Sequence, residues 1–135
     1  MAKNTFLEQV KKSIIKFAEK EIEEKDYVIE EGLNGVYHFR KWKSGRYEVF
    51  GEWSGNATNI KTVGGFALYT VTLDYSALTP FKELHTSSVQ TRVGNGQSWC
   101  SSPSLGYDKS ILSIMSDTTG TNNIRVYFSI SGTWN

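Results

Sequence analysis

The chain has one cysteine, Cys100, and only two histidines, His38 and His85. A single cysteine excludes an intrachain disulfide and leaves the redox compartment undecided. So few soft ligands argue against a metal site within one chain, and no motif implies a cofactor. No apolar run approaches the roughly 18–20 residues of a membrane-spanning helix, so no membrane insertion is expected. Charge of one sign is lacking too: 15 basic and 14 acidic residues leave a net +1. That balance gives no reason to expect nucleic acid as a partner. Gly64-Gly65 and Gly94-Asn95-Gly96 lack the lysine and helix of a phosphate cradle, and read as a bend and a turn.

Catalytic constellations are missing as well. No nucleophile signature surrounds Cys100, which reads as a buried or inert thiol. Beyond residue 53 the only acids are Asp74, Glu83, Asp108 and Asp117, and no two of them form a suggestive glycosidase pair. The expectation is a protein that is not an enzyme and has no catalytic residue.

What is present is unevenly spread. The 135 residues suit one domain, long enough to bury a real core. Residues 1–53 hold 20 Lys, Arg, Asp or Glu, whereas 54–135 hold 9. That second stretch instead has 38 Gly, Ser, Thr or Asn among its 82 residues. Interrupted by aromatic and β-branched residues, it suits short strands joined by polar loops.

Residues 5–25 predict the one helix, with Thr5 and Glu8 spaced as a capping box. Leu7, Val10, Ile14 and Phe17 form a stripe spaced 3, 4 and 3, widened by Phe6, Ala18 and Ile22. From residue 27 the period becomes two. Expected strands are 27–31, 35–42, 46–53, 62–75 with a bend at Gly64-Gly65, 87–93, 109–116 and 124–131. Asn95-Gly96, Ser102-Pro103 and the run 117–123, DTTGTNN, read as turns or loops. The fold class is mainly β: an antiparallel β-sandwich or jelly-roll-like domain over 27–135, preceded by one α-helix over 1–26.

The stretch VYHFRKWKSGRYEVFGEW, residues 36–53, reads as a hairpin. A three-residue loop, Lys43-Ser44-Gly45, with Gly45 left-handed places Trp42 opposite Arg46, Arg40 opposite Glu48 and Phe39 opposite Val49. A two-residue loop would set Lys43 against Arg46, a like-charge pair. One face then carries Val36, His38, Arg40, Trp42, Arg46, Glu48, Phe50 and Glu52. The other carries Tyr37, Phe39, Lys41, Tyr47, Val49 and Trp53. With charges paired inside the hairpin, the stretch reads as structural.

Phe39-Arg40-Lys41-Trp42, Ser44-Gly45, Glu48 and Phe50-Gly51 resemble a recurring stretch in tail proteins of phages and prophages of Gram-positive bacteria. That stretch runs aromatic, Arg-Lys-Trp, a Ser-Gly turn, a small residue before Glu, and an aromatic-Gly pair. Here Tyr47 replaces the small residue, and Phe50 stands where Trp is commoner. DYVIEEG at 26–32 resembles the lead-in of those proteins, and IRVYFSISGTWN their closing strand, with Gly132 and Trp134 as its Gly-x-Trp. The likeness covers 26–135, without a motif between 54 and 123.

The resemblance implies the C-terminal receptor-binding head of a tail fibre, a β-sandwich that assembles as a homotrimer below a stalk. It implies attachment to host cell-surface carbohydrate, other tail proteins as partners, and a place in a phage tail or a prophage-encoded tail-like particle. Two other readings stay open: an architectural trimerisation or assembly module without ligand, and an enzyme degrading surface polysaccharide.

The candidate ligand-binding loop is 94–108, GNGQSWCSSPSLGYD. Trp99 and Tyr107 could offer faces to a pyranose, and Asn95, Gln97 and Asp108 hydrogen bonds to its hydroxyls. Trp99 also fits a core position on a short strand. Trp53, Asn56 and Asn59 form a second candidate. A trimeric head predicts three times the chain mass by light scattering at micromolar concentration; a monomer there would remove the trimer.

Overall fold

A computed structural model describes residues 2–135, and side chains over 5–17, 25–101 and 103–135. One helix, α1 (Ala2–Glu24), precedes nine strands. They are β1 (Val28–Asn34), β2 (Tyr37–Trp42), β3 (Arg46–Thr58), β4 (Lys61–Val63), β5 (Phe66–Asp74), β6 (Glu83–Val93), β7 (Ser98–Ser104), β8 (Lys109–Ser116) and β9 (Thr121–Thr133). They form two antiparallel sheets, ordered β1-β2-β3-β9-β6 and β4-β5-β8-β7, and this architecture is that of a β-sandwich.

Period-two patterning sets what lies between the sheets. Along β5, Ala67, Tyr69, Val71 and Leu73 are buried, and Thr70 and Thr72 face out. Along β9, Ile124, Val126, Phe128 and Ile130 are buried, and Arg125, Tyr127 and Ser129 face out. Three fully buried tyrosines end on loop carbonyls, which satisfies their hydroxyls and ties the loops to the core. Tyr47 donates to Thr79 at 2.8 Å, Tyr69 lies 2.9 Å from the carbonyls of both Thr118 and Gly120, and Tyr75 donates to Gly106.

The hairpin has the expected register, with Arg40 opposite Glu48 and Phe39 opposite Val49. Gly45 holds φ 97°, which only glycine adopts without strain, and its N–H bonds the Trp42 carbonyl at 3.0 Å. The ion pairs differ from expectation. Arg46 pairs with Glu48 along its own strand, and Arg40 reaches Glu31 on β1 at 3.5 Å. Side chains at i and i+2 share a face, and β1 lies on the other side of β2, so both partners were available.

Other boundaries shift. The helix begins at Ala2, so Thr5 lies inside it and does not cap it. Leu7, Val10, Ile14 and Phe17 are all exposed, while the side chains of Ala18 and Ile22 fall outside the described residues. Residues 62–75 are not one bent strand: β4 and β5 form a hairpin about Gly64 and Gly65, whose φ values of 57° and 86° suit a two-residue turn. Ser102-Pro103 is no turn but part of β7, and residues 121–123 already belong to β9. β3 continues to Thr58, paired with β9 along its whole length.

The two motifs of the sequence meet at the C-terminus. Trp134 donates its backbone N–H to the Gly45 carbonyl and its indole Nε1–H to the Trp42 carbonyl, both at 3.0 Å. Beneath lies the Lys41 side chain, 11% exposed. Its Nζ is 5.9, 5.9 and 5.8 Å from the ring centroids of Phe39, Tyr47 and Trp134. The ammonium also bonds Glu30 at 3.1 Å and the Thr79 hydroxyl at 2.6 Å.

Lys41→Ala is expected to cost about 2–3 kcal/mol, since it removes a charged hydrogen-bond donor and its aromatic contacts. Lys41→Met keeps the packing and takes a donor from the half-exposed Glu30 and from the Thr79 hydroxyl, so about 1 kcal/mol is expected. Urea unfolding of both variants measures the difference, and equal losses would place the lysine outside the packing.

Tyr47 gives an alkaline signature. Burial first, then the Glu30 charge, pushes its phenol up to about 12. The unfolded phenol ionises near pH 10.0, so this contribution is complete below that pH and lost as pH rises toward 12. Tyr47→Phe is expected to flatten the alkaline fall in stability, measured by urea unfolding across that range.

Candidate functional site

The outer face of the five-stranded sheet follows from the same alternation. Residues opposite one another in antiparallel strands project to the same side, so rows of side chains run across the sheet. One row joins Phe50 of β3 to Ser129 of β9 and Ser88 of β6; the next joins Glu52, Tyr127 and Gln90. Arg40 and His38 of β2 stand beside them. Most of them, but not Glu52 or His38, border a groove of about 490 Å³, lined by Arg40, Glu48, Phe50, Ser88, Gln90 and Tyr127 among others. That volume lies within the range of ordinary ligand sites.

Phe50 is the pivot of this face. His38 stacks on it at 5.2 Å with the rings 13° apart, and the Arg40 guanidinium sits 5.1 Å from its centroid. Arg40 and Phe50 also line a neighbouring cavity of about 430 Å³, bounded by Glu31, Leu33 and His38. The trough therefore crosses from β1 to β6. Tyr127, 44% exposed, supplies a second aromatic surface. Its chemistry combines aromatic faces, two planar polar groups in Arg40 and Gln90, the Glu48 carboxylate and two serine hydroxyls.

The expected loop residues are not gathered into one cluster. Asn95 is exposed in the turn after β6 and lines a separate cavity on this same outer face. Gln97 is held by its backbone, the N–H bonded to Asp117 Oδ1 at 2.9 Å and the carbonyl to the Ser116 hydroxyl at 2.8 Å. Trp99 is on a strand, yet on the outer side of the four-stranded sheet, 44% exposed and edge-on to Phe66 at 5.2 Å. Tyr107 and Asp108 lie beyond the far end of β7, their carbonyls accepting from Phe81 and Tyr75 at 2.9 and 3.1 Å. Five residue steps of β7 separate Trp99 from Ser104, about 17 Å.

The second candidate is divided as well. Trp53 packs inward against the core and covers Gly55, where a Cβ would come within 2.8 Å of the ring. Asn56 points outward opposite Asn123, and the Asn59 side chain accepts the Gly120 N–H at 2.9 Å. Cys100 is half-buried against the core. Among the described residues, no three His, Cys, Asp or Glu side chains come together as metal ligands.

Sequence reading missed Phe50, Tyr127 and Gln90 as neighbours, because strand pairing joins them from three distant segments. The outward positions of the hairpin were the one local signal. Comparison with known protein families, curated proteins and solved structures finds no match.

Tyr127→Ala and Gln90→Ala alter exposed side chains, and each is expected to change stability by no more than about 0.5 kcal/mol. Phe50→Ala removes a ring that His38 stacks on and the Arg40 guanidinium approaches, at about 1–2 kcal/mol. Denaturant unfolding separates the two groups, and qualifies the first two variants as probes of binding.

Proposed function

We propose that this domain is the non-enzymatic receptor-binding head of a phage tail fibre or a prophage-encoded tail-like particle, attaching to host cell-surface carbohydrate. The observation that carries the reading is the trough around Phe50 and Tyr127. An aromatic face packs against the C–H groups of a pyranose, while Arg40, Glu48 and Gln90 reach its hydroxyls. The likeness to tail proteins adds support, since its two most specific pieces are in contact through Trp134 and Trp42.

The finer architecture fits the same reading. β3 lies beside β9 and β9 beside β6, while β5 lies beside β8 and β8 beside β7. This interleaving between two sheets supports a jelly-roll-like reading. The exposed stripe of Leu7, Val10, Ile14 and Phe17 is suited to burial against other copies of the chain, making a homotrimer whose helices end a stalk. Other tail proteins would then adjoin the helix end.

An architectural module without ligand is the second reading, favoured by that stripe and by the apolar Phe66–Trp99 contact on the opposite sheet. Cell binding separates the two. A labelled domain is expected to sediment with intact host cells and to lose at least tenfold in affinity with Tyr127→Ala. Binding unchanged by that substitution would remove the trough as the site, and no binding to any cell surface would favour the module.

A further inference from the structure

Two rows beyond Phe50, the same outer face changes character. Arg92 of β6 stands directly opposite Arg125 of β9. Directly opposed side chains start about 4.5–5.5 Å apart at their Cβ atoms and project to the same side. Two positive charges so placed repel each other, unless an acid stands between them. The chain has four arginines. Arg40 is paired with Glu31 and Arg46 with Glu48, but among the described residues neither Arg92 nor Arg125 has a carboxylate within 4.0 Å.

The nearby acids are otherwise placed. Glu52 shares the face diagonally, opposite Tyr127 while Arg125 is opposite Ser54. Asp117, below the 94–97 turn, accepts the Gln97 N–H at 2.9 Å and lies 3.3 Å from the Thr118 hydroxyl.

A cavity of about 270 Å³ opens over the pair, lined by Arg92, Gly94, Asn95, Asn123 and Arg125. Its frame is fixed: Gly94 holds φ 54°, and its N–H bonds the Asn123 carbonyl at 2.8 Å. Two arginines and two asparagines thus border one space, the Asn123 amide nitrogen lying 3.4 Å from the Ser54 hydroxyl. Such a set is rich in donors and positive charge, and suits a ligand group that only accepts and is negative.

We infer that Arg92 and Arg125, flanked by Asn95 and Asn123, form a subsite for an oxyanion, the phosphate or carboxylate of an acidic surface polysaccharide. The polymer part of this inference rests on the carbohydrate reading; the anion part stands on the arginine pair alone. Gln90 and Tyr127 form the adjacent outward pair on the same two strands. Successive outward rows are about 7 Å apart, the scale of one sugar residue. A chain lying in the trough would therefore bring an acidic group over the arginines within a residue or two. The anion also relieves their mutual repulsion, so binding and folding are coupled.

The test compares unfolding midpoints in chloride, inorganic phosphate and galacturonate at equal ionic strength, with the Arg Nε–Hε signals followed by NMR. Phosphate or galacturonate is expected to raise the wild-type midpoint and to shift the Arg92 and Arg125 signals saturably. R92Q and R125Q are expected to bind at least tenfold more weakly, and to be no less stable than wild type in chloride. A response to phosphate alone identifies a phosphate-bearing polymer, and to galacturonate alone a uronate-bearing one. Neither anion acting beyond chloride, or R125Q responding like wild type, would overturn the subsite. Should the anions fail while Tyr127-dependent cell binding persists, this inference falls and the carbohydrate reading stands. Should the anions bind while cells do not, the subsite stands and its assignment to a polysaccharide falls.

Discussion

A single ammonium group ties together the hairpin turn and the end of β9. Lys41 projects inward from β2, where a strand residue of the opposite parity would have met solvent. Its charge is acceptable there because Glu30 comes from β1, the Thr79 hydroxyl from the connection between β5 and β6, and three rings have their centroids 5.8–5.9 Å from its Nζ. One of those rings, Trp134, arrives from the end of β9. The connection is held a second time, by Tyr47 on the Thr79 carbonyl. A buried charge commits its partners to position, since each departure leaves a desolvated group behind. The hairpin turn, the β5–β6 connection and the chain terminus are thereby tied together.

That division of labour frees the other face. Tyr37, Phe39, Lys41, Tyr47 and Val49 face inward and hold the fold, so the alternate residues of the same strands are available for contact. Some are still restrained: His38 and Arg40 clasp Phe50, and Arg46 holds Glu48. A rigid sheet carrying preset side chains loses little entropy on binding. The stretch 36–53 thus serves structure on one side and lines the trough on the other, and reading it as self-satisfied captured only the first.

What was legible in the sequence was local. The Ser44-Gly45 turn and the charges beside it fixed the register of β2 on β3, and the period of two marked the segments that become β5, β8 and β9. β7 was illegible because its serines and Pro103 carry little strand preference; it is an edge strand, recruited by pairing with β8, where proline is tolerated. The end of β3 was hidden likewise, since Ser54-Gly55-Asn56 reads as a loop until β9 lies beside it. The site was less legible still. Phe50 and Tyr127 are joined only through β3–β9 pairing, and Arg92 meets Arg125 only through β6–β9. By contrast, loop 94–108 looked continuous in sequence and is divided by β7 in space.

The most direct measurement is an NMR shift map of the isotope-labelled domain against solubilised host surface polysaccharide. Perturbations are expected on the outward positions of β3, β9 and β6, centred on Phe50, Gln90 and Tyr127 and extending to Arg92 and Arg125. Shifts confined to Trp99, Tyr107 and Asp108, or none at saturating polymer, would contradict a binding face on the five-stranded sheet.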